Sequence, residues 1–194
     1  MGAVVIKSKV ALRALAVTSF VILATAGWSE PQPAEVVGAV TSEATSDDAL
    51  TAAVADGLSE TRLLPGSERL LRRDGDVRHY VATNVDGELC LVAVIVTADN
   101  GDVAASTCAR PSDVRDHGLP LHLRAGDVGT FAVLVPDGYD SARRSDGRGQ
   151  IKVTNNVVSV DAAATSGMPD DIVVQPQRLG DPAIQVPVRQ EGRS

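Results

Sequence analysis

Leu89-Cys90-Leu91-Val92-Ala93-Val94-Ile95-Val96 is apolar at every position. In an extended chain, alternation sends Leu89, Leu91, Ala93 and Ile95 to one face and Cys90, Val92, Val94 and Val96 to the other. With both faces apolar, the segment reads as a central strand covered on each side. Upstream, Val77 to Thr83 reads as its partner, joined through Asn84-Val85-Asp86-Gly87, where Asp-Gly supplies the positive φ values of a two-residue hairpin turn. Downstream, Asp99-Asn100-Gly101-Asp102 turns the chain into Val103 to Cys108. The three strands form a meander.

Cys90 and Cys108 flank that last turn. Facing positions across a hairpin have numbers with a constant sum, here centred on residue 99, so the two cysteines fall opposite each other within the slack of a bulge. A disulfide is the expected state in an exported chain. A redox-active pair would want close Cys-x-x-Cys spacing or an exposed, polarised thiolate, and Cys90 lies in the most apolar strand.

Working outward, Pro111 to Gly118 reads as one helical turn capped by Ser112 and stopped by Gly118. Leu119 to Leu123 reads as an edge strand, a reading that Pro120 weakens. Thr130 to Val135 is an aliphatic strand ending at Pro136-Asp137-Gly138. A polar loop through Arg143, Arg144, Asp146, Gly147 and Arg148 precedes Ile151 to Val160. There Asn155-Asn156 is either a two-residue turn or an interruption of one strand. Before the meander, Ser46 to Gly57 reads as a helix with Ser46 as N-cap, acidic Asp47 and Asp48 in its first turn, and Leu50, Ala53, Val54 and Leu58 on one face.

Both ends differ in character. Lys7, Lys9 and Arg13 precede an apolar run from Ala14 to Ala24 and then Ala24-Thr25-Ala26, the pattern of a secretory signal with cleavage between Ala26 and Gly27. The run is short for a membrane span, which needs roughly 20 residues, so an uncleaved signal-anchor is the second reading. No cysteine lies near the cleavage region, which excludes a lipid anchor there. Cleavage of 26 residues from 194 leaves 168, and losing three cations takes the net charge from −7 to −10. Glu30-Pro31-Gln32-Pro33 reads as a stiff polar tether. After Asp161 the prolines 169, 176, 182 and 187 recur in a polar segment that reads as disordered. The expected organisation is therefore residues 1–26 signal peptide, 27–62 linker and short helix, 63–161 β-rich domain, and 162–194 disordered tail. The expected fold class is mainly β, a small antiparallel sheet or sandwich with one N-terminal helix.

Composition narrows the function. A pI near 4.9 removes the electrostatic footprint of a nucleic-acid binder. Aromatics make up 3% of the chain, too few for a stacking platform. His117 and His122, five apart across Gly118 and Pro120 and near Asp113 and Asp116, could complete a metal or catalytic group, but their spacing is not that of a zinc-binding helix and the preferred reading is solvated loop residues around a cap, with no catalytic or metal residue assigned. His79 alternates with Val77 and Val81 and reads as a half-buried strand residue. There is no serine elbow, no phosphate loop and no calcium-loop rhythm around Asp137 to Gly147. Two basic clusters, Arg69-Arg72-Arg73-Arg78 and Arg143-Arg144-Arg148, could meet an anionic envelope polymer or lipid headgroup, or simply balance the acidic chain.

Cys90-Leu91-Val92, the hairpin to Cys108, Gly118-Leu119, Val135-Pro136-Asp137-Gly138 and Asn155-Asn156-Val157 resemble, in that order, a group of small exported proteins of high-GC Gram-positive bacteria. The resemblance spans about Arg69 to Val160. It implies an extracytoplasmic β-rich domain with a disulfide, and it brings no catalytic residue. The expectation is a non-enzymatic structural or ligand-binding module of the cell envelope, needing no cofactor. The alternatives are a small secreted hydrolase or metal-dependent enzyme, and a membrane-tethered partner of another envelope protein.

Overall fold

The computed structural model describes residues 29–97, 101–147, 149–162 and 170–188. The proposed signal segment, with Ala26 and Gly27, lies outside these residues, as do Asp99, Asn100 and Arg148. In chain order the helices are α1 (Pro33–Val36), α2 (Ala52–Gly57) and α3 (Pro111–His117). The strands are β1 (Arg69–Asp74), β2 (Val77–Thr83), β3 (Leu89–Ile95), β4 (Val103–Ala109), β5 (Leu119–Ala125), β6 (Val128–Leu134), β7 (Tyr139–Arg144), β8 (Gln150–Lys152), β9 (Val157–Asp161), β10 (Asp171–Pro176) and β11 (Ile184–Pro187). They make three antiparallel sheets: a front sheet β1-β2-β3-β4, a middle sheet β5-β6-β9 and a back sheet β11-β10-β7-β8.

The doubly apolar strand organises the stack. Every residue of β3 is buried. Its odd-numbered set, Leu89, Leu91, Ala93 and Ile95, packs on the middle sheet with Leu119, Leu121, Leu123, Ala132 and Leu134. Its even-numbered Val92 and Val94 pack with Tyr80 against Val54 of α2 and Leu58. The middle sheet repeats the device, because β6 sends Ala132 and Leu134 forward while Phe131 and Val133 meet Ile172, Val174, Ile184 and Val186 of the back sheet. Two apolar cores thus lie between three layers.

Register in the central hairpin follows the expected sum, with Leu89 opposite Ala109, Cys90 opposite Cys108 and Ile95 opposite Val103. Cys90 and Cys108 are disulfide-bonded, with Cα atoms 4.1 Å apart. The bond lies on the face of the front sheet that carries α2, since Cys90 shares the even set of β3.

Several expectations need correction. The turn before β3 is longer than two residues, since Thr83 pairs with Leu89. Only Gly87 takes a positive φ there, and the Asn84 side-chain oxygen accepts from Asp86 N–H and Glu88 N–H to hold the wider loop. The N-terminal helix is shorter than Ser46 to Gly57. Thr51 caps it, accepting from Val54 N–H, because Asp48 is taken by other donors, Thr45 N–H, the Thr45 hydroxyl and Leu70 N–H of β1. Ser112 does not cap α3; Pro111 begins it, Arg110 occupies the cap, and Ser112 N–H is bonded by Glu30. Gly118 does stop α3, donating its N–H to Val114 O.

The supposed tether also folds. Gln32 and Glu35 form a capping box on α1, and Val36 and Val37 enter the front core. Arg143 and Arg144 lie on β7, not in a loop. Asn155 and Asn156 are a turn, since both have positive φ and Thr154 and Val157 exchange backbone hydrogen bonds around them. Of the expected disordered tail, residues 170–188 are ordered chain. β10 and β11 fill half the back sheet, and Ile172, Val174, Ile184 and Val186 are buried there, so the folded unit reaches well past Asp161.

Candidate functional site

The four arginines of the first basic cluster do not share a face. Arg69 donates to three backbone carbonyls, Ser42, Gly66 and Glu68. Arg73 lies against Arg78 across the pair of strands and forms an ion pair with Asp47. Arg72 goes elsewhere because β1 carries a bulge: Leu70 faces Tyr80 and Arg72 faces His79, leaving Leu71 as the extra residue. Without it Arg72 and Asp74 would alternate onto the α2 face. The bulge re-aims both toward the middle sheet, beside His79 and Val77.

There they line a cleft of about 330 Å³ at one open end of the front core. Arg72 and Asp74 form one wall; Val128, Gly129 and Thr130 of β6 with Ser159 and Asp161 of β9 form the other. Its rim is made by two hairpin turns of the same sequence. Gly75-Asp76 joins β1 to β2 and is followed by Val77; Gly126-Asp127 joins β5 to β6 and is followed by Val128. Each turn presents one aspartate, Asp76 from the front sheet and Asp127 from the middle sheet.

Hydrogen bonds hold the walls. Arg72 Nε donates to Asp74 Oδ1 at 2.7 Å, and the Ser159 hydroxyl donates to Asp74 Oδ2 at 2.7 Å across the sheet interface. Burial by itself would raise the Asp74 carboxyl; the Arg72 and Ser159 hydrogen bonds outweigh it and hold the pKa below the ordinary aspartate value. Behind this wall His79 is wholly buried, with Nε2 3.1 Å from Thr130 Oγ1 and with Nδ1 lacking a partner. A buried N–H without an acceptor costs more than an idle lone pair, which places the proton on Nε2 and makes Thr130 the acceptor. Burial pushes the imidazole down to about 4, opposed by the Asp74 carboxylate and assisted by the Arg72 cation, so His79 is neutral at pH 7.

This hydroxyl–imidazole contact is not built like a nucleophile and its base. No carboxylate holds Nδ1 to orient the ring, and a base with a pKa near 4 has little driving force to accept a proton at neutral pH. His79 is therefore a buried polar residue rather than the half-buried one expected.

The sequence-derived candidates fall elsewhere. His117, Asp113 and Asp116 are exposed on α3, and His122 is exposed on the outward side of the edge strand β5. Asp116 is paired to Arg115. Among the described residues no three His, Cys, Asp or Glu side chains come close enough to hold a metal ion. Asp137 accepts from Gly38 N–H and the Asn156 amide, tying the N-terminal segment to the turn before β9. Of the second basic cluster, Arg143 and Arg144 line an open recess of about 540 Å³ on the back sheet, where Arg144 is bonded to Asp146.

No single-residue motif marked the cleft in the sequence. Gly-Asp-Val occurs at 75–77, 101–103 and 126–128, and only the first and third of these turns line the cleft, so the tripeptide alone does not mark it. Among the described residues no helix is long and apolar enough to cross a membrane. No family model, curated protein or solved structure matches the chain.

Proposed function

We propose that the protein is an exported, extracytoplasmic module of the cell envelope that binds a ligand without transforming it, and that the cleft between the front and middle sheets is its binding face. The observation that carries this reading is the set of polar groups the bulge and the two Gly-Asp turns assemble there, on strands fixed by packed cores. A guanidinium, carboxylates and hydroxyls converge on one recess, and its one hydroxyl–imidazole contact lacks the orientation and basicity of a catalytic pair. Such fixed, convergent polar groups around a concave surface suit recognition. The Cys90–Cys108 bond fits an oxidising compartment, and the basic, apolar and small-residue pattern of residues 1–26 supports export. The motif order from Cys90 to Asn156, like that of small exported proteins, points the same way.

Intact mass of the protein recovered from the envelope and medium of its host tests the location. The expected species begins at Gly27 and resists thiol alkylation until reduced. A full-length mass confined to the membrane would replace the released module with a tethered one, and alkylation without reduction would overturn export. Replacing both exposed histidines, His117→Ala with His122→Ala, should leave metal content and melting temperature unchanged; loss of a bound metal would return the metal-dependent enzyme.

A further inference from the structure

We propose that a second copy of this chain pairs with the free edge of β4, antiparallel and about a two-fold axis at Ser106, so that two front sheets join edge to edge. The directions of the peptide groups follow from the hairpins. Asn84 N–H donates to Glu88 O and Val96 N–H donates to Asp76 O, so the even-numbered residues of β3 turn their backbone groups toward β2. The odd-numbered residues therefore bond β4, where they face Val103, Ala105, Thr107 and Ala109. Cys90 and Cys108, with Cα atoms 4.1 Å apart, are the close, non-hydrogen-bonded kind of pair that this alternation requires. The N–H and C=O groups of Ala104, Ser106 and Cys108 are left pointing outward, without a hydrogen-bond partner among the described residues.

An open edge invites strand addition, and the other edges of the three sheets carry features that discourage it. β1 has a bulge and three arginines, and β5 carries Pro120. β8 has three residues, β9 has five and ends in Asp161, and β11 ends in Pro187. β4 differs from all of these. Its seven residues, Val-Ala-Ala-Ser-Thr-Cys-Ala, hold no charge and no proline, and its register is unbroken.

The strand's own sequence fits a copy of itself. A two-fold at Ser106 brings together positions whose numbers sum to twice 106, so Ser106 meets Ser106 and Ala104 meets Cys108 of the second copy. These are hydrogen-bonded pairs, and they use every outward group of both strands. Between them fall Ala105 with Thr107, and Val103, an exposed large apolar side chain, with Ala109. Just beyond the strand ends Asp102 comes opposite Arg110, whose backbone is still extended. Both are exposed, and neither is in an ion pair among the described residues. Symmetry makes this contact twice, once at each end of the junction. That match of charge in the register set by the open peptide groups is what selects a second copy over an unrelated strand.

Sedimentation equilibrium of the oxidised protein, recovered from its host and run over a series of concentrations, tests this. A monomer–dimer equilibrium is expected. Asp102→Arg alone sets like charges opposite each other at both ends and should weaken the dimer at least about fivefold, as should Arg110→Asp. The two reversals together should restore it, with Glu30, which lies near Arg110, unchanged throughout. Ser106→Pro removes the central outward N–H, which the fold does not use, and should give a monomer. Ser106→Ala loses only the hydroxyl contact with Thr61 and should leave the dimer intact. Circular dichroism would show that each variant keeps the fold; if Ser106→Pro does not, the charge reversals still decide. A monomer at every concentration would overturn the proposal, and protected amides at Ala104, Ser106 and Cys108 in that monomer would show another segment of this chain on the edge. A dimer indifferent to the single reversals, or one the double reversal fails to restore, would place the contact elsewhere and overturn it too. None of these outcomes touches the reading of the cleft as the binding face.

Discussion

His79 makes stability depend on pH in a direction that can be worked out. Its imidazole titrates near 4 in the fold and near 6.5 in the unfolded chain. Because the folded value is the lower one, the unfolded chain takes up the proton first. The full contribution is present above about pH 6.5 and drains away as the pH falls toward 4. Linkage puts the loss on the order of 2 kcal/mol by pH 5. Urea midpoints for the wild type should fall over that interval, and those for His79→Gln should fall much less. Asp48 and Asp74 do not confuse the result, since their carboxyls lie below an already acidic reference of 3.8 and release stability only under more acid conditions. Asp48 matters in another way. Burial would raise its carboxyl, yet bonds from Leu70 and Thr45 hold it down and tie the N-terminal segment to β1. Asp48→Ala removes the acceptor that these part-buried donors share and should cost about 1–2 kcal/mol, read from urea unfolding at pH 7.

At the scale of elements, Gly118 is the residue where α3 ends and β5 begins. Its φ of 68° belongs to glycine, and an added Cβ would lie 3.1 Å from Val133 Cγ1 and 3.3 Å from Leu134 O. Gly118→Ala should therefore lower stability by about 1–3 kcal/mol, visible as a lower melting temperature. Cys90→Ala with Cys108→Ala should cost roughly 3 kcal/mol through the freed loop, measurable by the same unfolding experiment. These features were legible early because they rest on local rules: an apolar run, a hairpin sum, a glycine after a helix. β1 was not, because Arg69-Leu70-Leu71-Arg72-Arg73-Asp74 loses its alternation at the bulge. β7 was hidden for a similar reason, since Ala142 is its one buried side chain. The cleft could not be read at all. Which way Arg72 and Asp74 point depends on that bulge, and Asp76 and Asp127 meet only when two sheets pack.

For the whole molecule, the back sheet decides how much chain the fold needs. Alternation in Asp171 to Pro176 and in Ile184 to Pro187 was present, but recurrent proline argued for an open tail. The prolines are compatible with strands here because Pro187 ends the edge strand β11 and Pro176 lies at the end of β10, where the pairing with β7 becomes irregular. A chain ending after Asp161 loses β10 and β11 and uncovers Phe131, Val133 and Val158 of the middle sheet. Such a truncation should aggregate or fall rapidly to protease, whereas the intact protein resists; limited proteolysis of the two side by side reads this.

The contact between Glu30 and the Ser112 amide, far apart in sequence, has a consequence for geometry at a lipid surface. It anchors the folded body only three residues beyond the Ala26–Gly27 bond. Three extended residues reach about 10 Å. If a copy kept its leader in a bilayer, that reach would bound how far Glu30 could stand from it. A released copy would carry no such bound, so the distance from Glu30 to the leader matters only to a retained one.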